Sequence, residues 1–341
     1  MTPEDKYHVF ERNLALEMAR VTEASALAAA MHLGRGDERA AARAASRAMR
    51  TALNGVGITG RVIFGDHDPG LDEEDDDGGL GDGVSVGTQD GPEVEVAAHP
   101  LEGATICATG MPNSLSLLAM AESGGFIDMP PDLYMEKIAV GPRVPDGVLS
   151  LEQTPAENVQ ALARLRQADP SDLVVCILDR PRNENLIGAV RTAGARIQLI
   201  QDGDVSGIMA TTDPRSGVDM LMGSGGAREG VLSAAALACM GGWMQGRLIV
   251  RSEADRAALR ATDFGDPDRI LALPDMVKGD VMFAATGVTD GAILRGVRVW
   301  PGGASTHSMV ARSTSGTVRR IESRHDLRRK AALARSTAGA E

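Results

Sequence analysis

The 341 residues carry a formal charge of −12 and are 43% hydrophobic but only 3% aromatic, so the interior has to be built from Ala, Val, Leu, Ile and the 16 methionines. That acidic balance excludes a binder of nucleic-acid backbones, which needs clustered Lys and Arg; the one basic block is the modest RRIESRHDLRRK near the C-terminus. No apolar run approaches the ~20 residues of a membrane span, and Cys107, Cys176 and Cys239 stand far apart in apolar runs with no CxxC pair, so reduced core cysteines and a cytoplasmic location are expected.

In chain order, apolar residues recur at helical spacing from Val9 to about His32 (Leu14, Met18, Val21, Ala24, Ala28), and an Ala-rich helix is predicted from about Glu38 to Leu53. The LGRGD turn between them leaves Asp37 at the start of the second helix, where it is either an N-cap or a functional acid. RVIFGD (Arg61 to Asp66) reads as a strand ending on an acid. The run Asp72 to Asp77 reads as a solvated loop, since like charges in sequence repel. VEVAAH (Val94 to His99) is another strand, and ATICATGM, SLSLLAMA and YMEKIAVGP continue as short β-type or mixed segments.

Beyond a polar stretch near Gly141 to Glu157 the pattern changes to helix, strand DLVVCILD, helix, strand RIQLIQD, strand VDMLMGSGG and helix AREGVLSAAALACMGG. Strands alternating with helices predict an α/β second half with a largely parallel sheet after an α+β first half. The boundary falls near residue 170, giving domains 1–170 and 171–341. Further strand signals lie in GRLIV, VMFAATGV and SMVARSTSGTVRRI, and no internal repeat is found.

Asp37, Asp66, Asp68, Glu102, Asp202, Asp204 and Glu229 all fall at strand ends or helix starts beside Gly-rich turns that let backbone approach a ligand. Clustered acids without compensating bases imply a cation. Mg²⁺ and Mn²⁺ prefer oxygen donors and bridge carboxylates to phosphates, which points to phosphate ester chemistry. GSGGAREG runs a loop into a helix N-terminus that could meet an anion. Arg180 and Arg182, after strand DLVVCILD, are either phosphate forks or surface ion pairs, and Tyr134 is either a phosphate donor or a core tyrosine.

Together LGRGD, HPLEGAT, PPDLYMEKIAVGP, QDGDV, GSGGAREGVLSAAALACMGGWMQGRL, ATGVTDGAILRGV and SGTVRRI resemble class II fructose-1,6-bisphosphatase, from about residue 10 to 325. The resemblance implies a layered α-β-α-β-α fold of the lithium-sensitive sugar and inositol phosphatases. It also implies hydrolysis of the 1-phosphate of a sugar bisphosphate, divalent metal (Mn²⁺ or Mg²⁺), and a homo-oligomer, dimer or tetramer. Carried over residue by residue, it makes Asp37, Asp66, His99, Glu102 and Glu229 the metal ligands, and Asp37, Glu102 and Thr105 the catalytic group. Tyr134, Arg180, Arg182, Asp202, Asp204 and Gly226 would contact sugar and phosphates, so the first domain would carry the metals and the second the sugar phosphate.

The departures from the family pattern gather at the metals. Asp66 stands for a glutamate, His99 for the leading aspartate of the loop, Ala104 for its threonine, beside Thr105, and Arg228 for a proline. A nitrogen at His99 suits Mn²⁺, Fe²⁺ or Zn²⁺ better than Mg²⁺. Two readings follow: a phosphatase with a retuned metal site, or a relative that binds a sugar phosphate without hydrolysing it or performs different chemistry.

Overall fold

Two long helices lead the chain, α1 (Pro3–Ala30) and α2 (Glu38–Leu53). The computed structural model describes residues 3–65, 79–260 and 264–329, with side chains from residue 14 onward except at Ala254 and Ala258. The acidic run from Asp72 to Asp77, with Asp66 and Asp68, lies outside the described residues. Asp37 caps α2 by accepting the Ala40 backbone N–H at 2.9 Å, one of the two roles left open for it.

Strands β1 (Thr59–Phe64), β2 (Ser85–Val86) and β3 (Glu93–Glu102) follow, then the short helix α3 (Ala104–Thr109) and β4 (Leu115–Ala121). Next come β5 (Tyr134–Val140), α4 (Pro155–Arg166), β6 (Val174–Leu178), α5 (Glu184–Thr192), β7 (Arg196–Ile200), α6 (Asp204–Ala210) and β8 (Met220–Gly226). Helix α7 (Ala227–Met240) leads to β9 (Trp243–Ile249), α8 (Glu253–Arg260), β10 (Ile270–Ala272) and α9 (Leu273–Met276). The chain then runs through β11 (Val281–Gly287), β12 (Arg298–Trp300), β13 (Gly303–Arg312) and β14 (Thr317–Asp326).

The strands form two sheets. The first has the order β12-β13-β11-β4-β3-β1-β2, with β14 paired to β13; the second is β10-β9-β5-β8-β6-β7. Alternation along β4 shows how they are layered. Leu115, Leu117, Ala119 and Ala121 face the central core with α6 and α7, while Leu118 and Met120 face α1 and α2. The second sheet turns Ala139, Cys176 and Leu221 to the same centre, and Ile138, Val175 and Met220 outward to α4 and α5. The result is the five-layer α-β-α-β-α arrangement. Helix α7 buries residues around its whole circumference because it lies between two sheets.

Two expectations need correction. The chain does not divide at residue 170: β5 precedes that point yet lies in the second sheet, and β11–β14 follow it yet return to the first. Strand partnership is set by which faces can be buried together, not by nearness in the chain. Nor is the second sheet largely parallel. β6 pairs in parallel with β7 and β8, but β5 runs antiparallel to both β8 and β9, and β10 antiparallel to β9. Helix α7 carries the chain over β5, so β8 and β9 share a direction and flank an opposed strand.

Candidate active site

Where the end of β3 in the first sheet meets β5, β8 and the start of α7, a cavity of about 570 Å³ opens. Its walls include His99, Glu102, Tyr134, Arg180, Arg182, Asp202, Asp204, Gly226 and Glu229, nine residues expected from the sequence. That volume falls in the range of a small-molecule site.

The carboxylate side begins with β3. Its pairing with β4 shifts register between His99 and Glu102, an irregularity that brings both to the cavity. Gly103, at φ 77°, then turns the chain into α3, a conformation glycine adopts without steric cost. Glu102 is buried, and its two oxygens accept the backbone N–H groups of Val205 (2.8 Å) and Ser206 (3.2 Å). Expected as a metal ligand, it caps α6 from a distance in this structure. Burial, and then the charges of Asp204 and Asp202, hold its carboxyl well above the usual range, against the pull of the two amides. Burial also raises Asp202, opposed by the Gly203 amide and the charges of His99 and Arg180. Asp204 pairs with Lys137, whose ammonium also donates to the Gly226 carbonyl at 2.9 Å.

Arginines also line the cavity. Two guanidinium groups approach the Tyr134 ring, Arg182 at 4.9 Å and Arg251 at 4.2 Å from its centroid. Arg182 Nε donates to the Ser224 carbonyl at 3.0 Å, which fixes the fork at the end of β8. Gly226 begins α7 without a side-chain cap, and Ala227 N–H donates to the Leu133 carbonyl at 2.8 Å. The helix start lines the cavity together with Arg180, Arg182, Arg228 and Arg251, an arrangement suited to phosphate.

The side expected to hold metals carries an ion pair. Arg228 Nε donates to the Met129 carbonyl (3.0 Å), and its two terminal nitrogens grip the carboxylate of Asp82; the guanidinium carbon lies 6.0 Å from the Phe64 ring centroid. Asp82 also accepts the Gly65 N–H at 3.2 Å. Asp37 is exposed, and its turn docks on the far end of α3, where Cys107 and Ala108 carbonyls accept the N–H groups of Gly34 and Gly36. Neither Asp37 nor the exposed Thr105 is among the cavity walls. Among the described residues no three His, Cys, Asp or Glu side chains converge to hold a metal ion. His99 and Glu229 do face the cavity, and Glu229 makes no side-chain hydrogen bond or ion pair among the described residues. A nitrogen and a carboxylate are thus present, and Asp66, outside the described residues, follows Gly65 at the cavity wall.

Lys137 and Arg251 were not anticipated. The signal for Lys137 was one lysine inside an apolar strand, and for Arg251 an arginine just past a strand end, as with Arg180.

The family model described as bacterial fructose-1,6-bisphosphatase, glpX-encoded, matches residues 12–325. Among curated proteins, the D-fructose 1,6-bisphosphatase class 2/sedoheptulose 1,7-bisphosphatase of Synechococcus sp. (strain JA-3-3Ab) is 37% identical over 338 residues, covering 92% of this chain and 96% of the relative. The protein of that name from Synechococcus elongatus (strain ATCC 33912 / PCC 7942 / FACHB-805) is 37% identical over 337 residues, with the same coverage of both chains.

Proposed function

This chain belongs to the bacterial fructose-1,6-bisphosphatase family, and from that premise we propose that it hydrolyses a phosphate monoester of a sugar bisphosphate. Water adds to phosphorus, the ester oxygen departs as the sugar hydroxyl, and inorganic phosphate is released. The observation that carries this reading is one cavity that gathers Tyr134, Arg180, Arg182 and Arg251 together with His99, Asp202, Asp204 and Glu229. The relatives' names supply fructose 1,6-bisphosphate and sedoheptulose 1,7-bisphosphate as substrates to try.

In this reading the arginines and Tyr134 hold the phosphate that is retained, and Asp202 and Asp204 accept sugar hydroxyls. The start of α7 receives oxygens of the phosphate that leaves. His99 and Glu229, with Asp66, would hold a divalent ion. When bound, such an ion polarises the phosphoryl oxygens and lowers the pKa of water. One nitrogen among the donors favours Mn²⁺ or Zn²⁺ over Mg²⁺. Arg180 and Arg182 orient the ester so that water approaches opposite the leaving oxygen. A dimer or tetramer is the proposed assembly. No helix among the described residues is long and apolar enough to cross a membrane.

Phosphate release from both bisphosphates, assayed with Mg²⁺, Mn²⁺ and Zn²⁺, tests the proposal. Turnover with Mn²⁺ or Zn²⁺ exceeding that with Mg²⁺ is expected. Absence of release with every metal, while calorimetry records sugar phosphate binding, would overturn it in favour of a non-hydrolytic binder.

A further inference from the structure

Behind Asp204, Lys137 is 1% exposed in the middle of β5, on the face that looks toward α7. Among the described residues it makes two polar contacts, both to parts of the cavity: it pairs with Asp204 and donates to the Gly226 carbonyl at the start of α7 (2.9 Å). Two glycines make room for this arrangement. A Cβ on Gly225 would sit 2.3 Å from Asp204 Oδ2 and 3.0 Å from Lys137 Nζ, and one on Gly230 would meet Met135 Sδ at 2.6 Å and Lys137 Cδ at 3.5 Å. Asp204 lines the cavity and Lys137 does not. A buried ammonium without its carboxylate is strongly unfavourable, so the pair holds in one geometry.

From this geometry we infer that Lys137 is a positioning residue for substrate recognition: it fixes Asp204 as an oriented acceptor for a sugar hydroxyl, and through Gly226 it ties that acceptor to the start of α7. It touches no substrate atom itself. Its contribution falls on the polyol part of the ligand and not on the phosphate, which the arginines hold independently. The inference rests on the sugar phosphate reading of the cavity but not on turnover.

Calorimetric titration of the Mn²⁺-loaded protein with fructose 6-phosphate and with inorganic phosphate tests it, since neither probe carries the bond to be cleaved at the sugar 1-position. Lys137→Met should weaken fructose 6-phosphate binding about 10- to 100-fold and leave phosphate binding within about twofold. Lys137→Arg should recover part of that loss, and Asp204→Asn should reproduce it. The double variant should bind no worse than Asp204→Asn alone, because removing one member of a coupled pair already removes its effect. Additive losses, an equal loss for both probes, or wild-type protein that binds phosphate and ignores fructose 6-phosphate would each overturn the inference. If fructose 6-phosphate binds as expected but no bisphosphate is hydrolysed, the phosphatase reading fails and the role of Lys137 stands.

Discussion

Glu102 at the end of β3 accepts the backbone N–H of Val205 in α6 at 2.8 Å, so a carboxylate of the first sheet caps the helix that edges the cavity. The bond ties the first sheet to the central layer.

That cap titrates. Burial, then Asp204 and Asp202, raise the Glu102 carboxyl, so the folded protein keeps a proton that the unfolded chain loses near about pH 4.3. Stability from this group is full below that value and declines as pH rises through the raised folded value; Asp202, raised by burial, acts in the same direction. Glu102→Gln keeps an acceptor for the amides and removes one titration. Without divalent metal, its unfolding free energy should fall less steeply than wild type's above about pH 5. Glu102→Ala should be less stable than the Gln variant by about 0.5–2 kcal/mol. Urea unfolding across pH measures both, and identical pH slopes for wild type and Gln would contradict the assignment.

Arg228 holds a positive charge at the wall where a metal is proposed, balanced by Asp82. Arg228→Met removes the cation and leaves Asp82 without its fork. The metal concentration for half-maximal phosphate release should fall by about 5-fold, a Coulomb difference of roughly 1 kcal/mol at the effective dielectric of a protein surface. A metal titration of the variant checks this, and a weaker metal requirement in wild type than in the variant would contradict it.

Tyr134 offers its ring to both Arg182 and Arg251. Tyr134→Leu should raise KM for the bisphosphate about 3- to 30-fold, as two cation–π contacts of roughly 0.5–2 kcal/mol in total are lost. Tyr134→Phe, which keeps the ring, should stay closer to wild type. Equal effects of Leu and Phe would assign the role to the hydroxyl instead.

Much of this was legible in the sequence. The α1/α2 pair, β3, β6 and α7 announced themselves through periodicity and through Gly-rich turns, and nine expected site residues do converge on one cavity. What stayed hidden depends on long-range pairing. Nothing local in YMEKIAVGP says that β5 lies antiparallel between β8 and β9, or that Lys137 faces Asp204, 67 residues away. Asp37 and Glu102 both accept backbone N–H groups, and the sequence could not announce it: an acid at a helix start or strand end has the same local pattern whether it binds a ligand or caps a backbone N–H.

His99 supplies the nitrogen that sets metal preference in this account. His99→Asp restores an oxygen donor, and the ratio of activity with Mg²⁺ to activity with Mn²⁺ should rise by about 10-fold or more. An unchanged ratio would remove His99 from the metal.

The most direct measurement is phosphate release from fructose 1,6-bisphosphate by Mn²⁺-loaded wild type beside Arg182→Ala. The expected result is steady turnover in wild type, with KM raised about 10-fold or more in the variant as one charge-assisted phosphate contact is lost. Indistinguishable traces from the two proteins, or no phosphate from either, would contradict a cavity that grips one phosphate while hydrolysing the other.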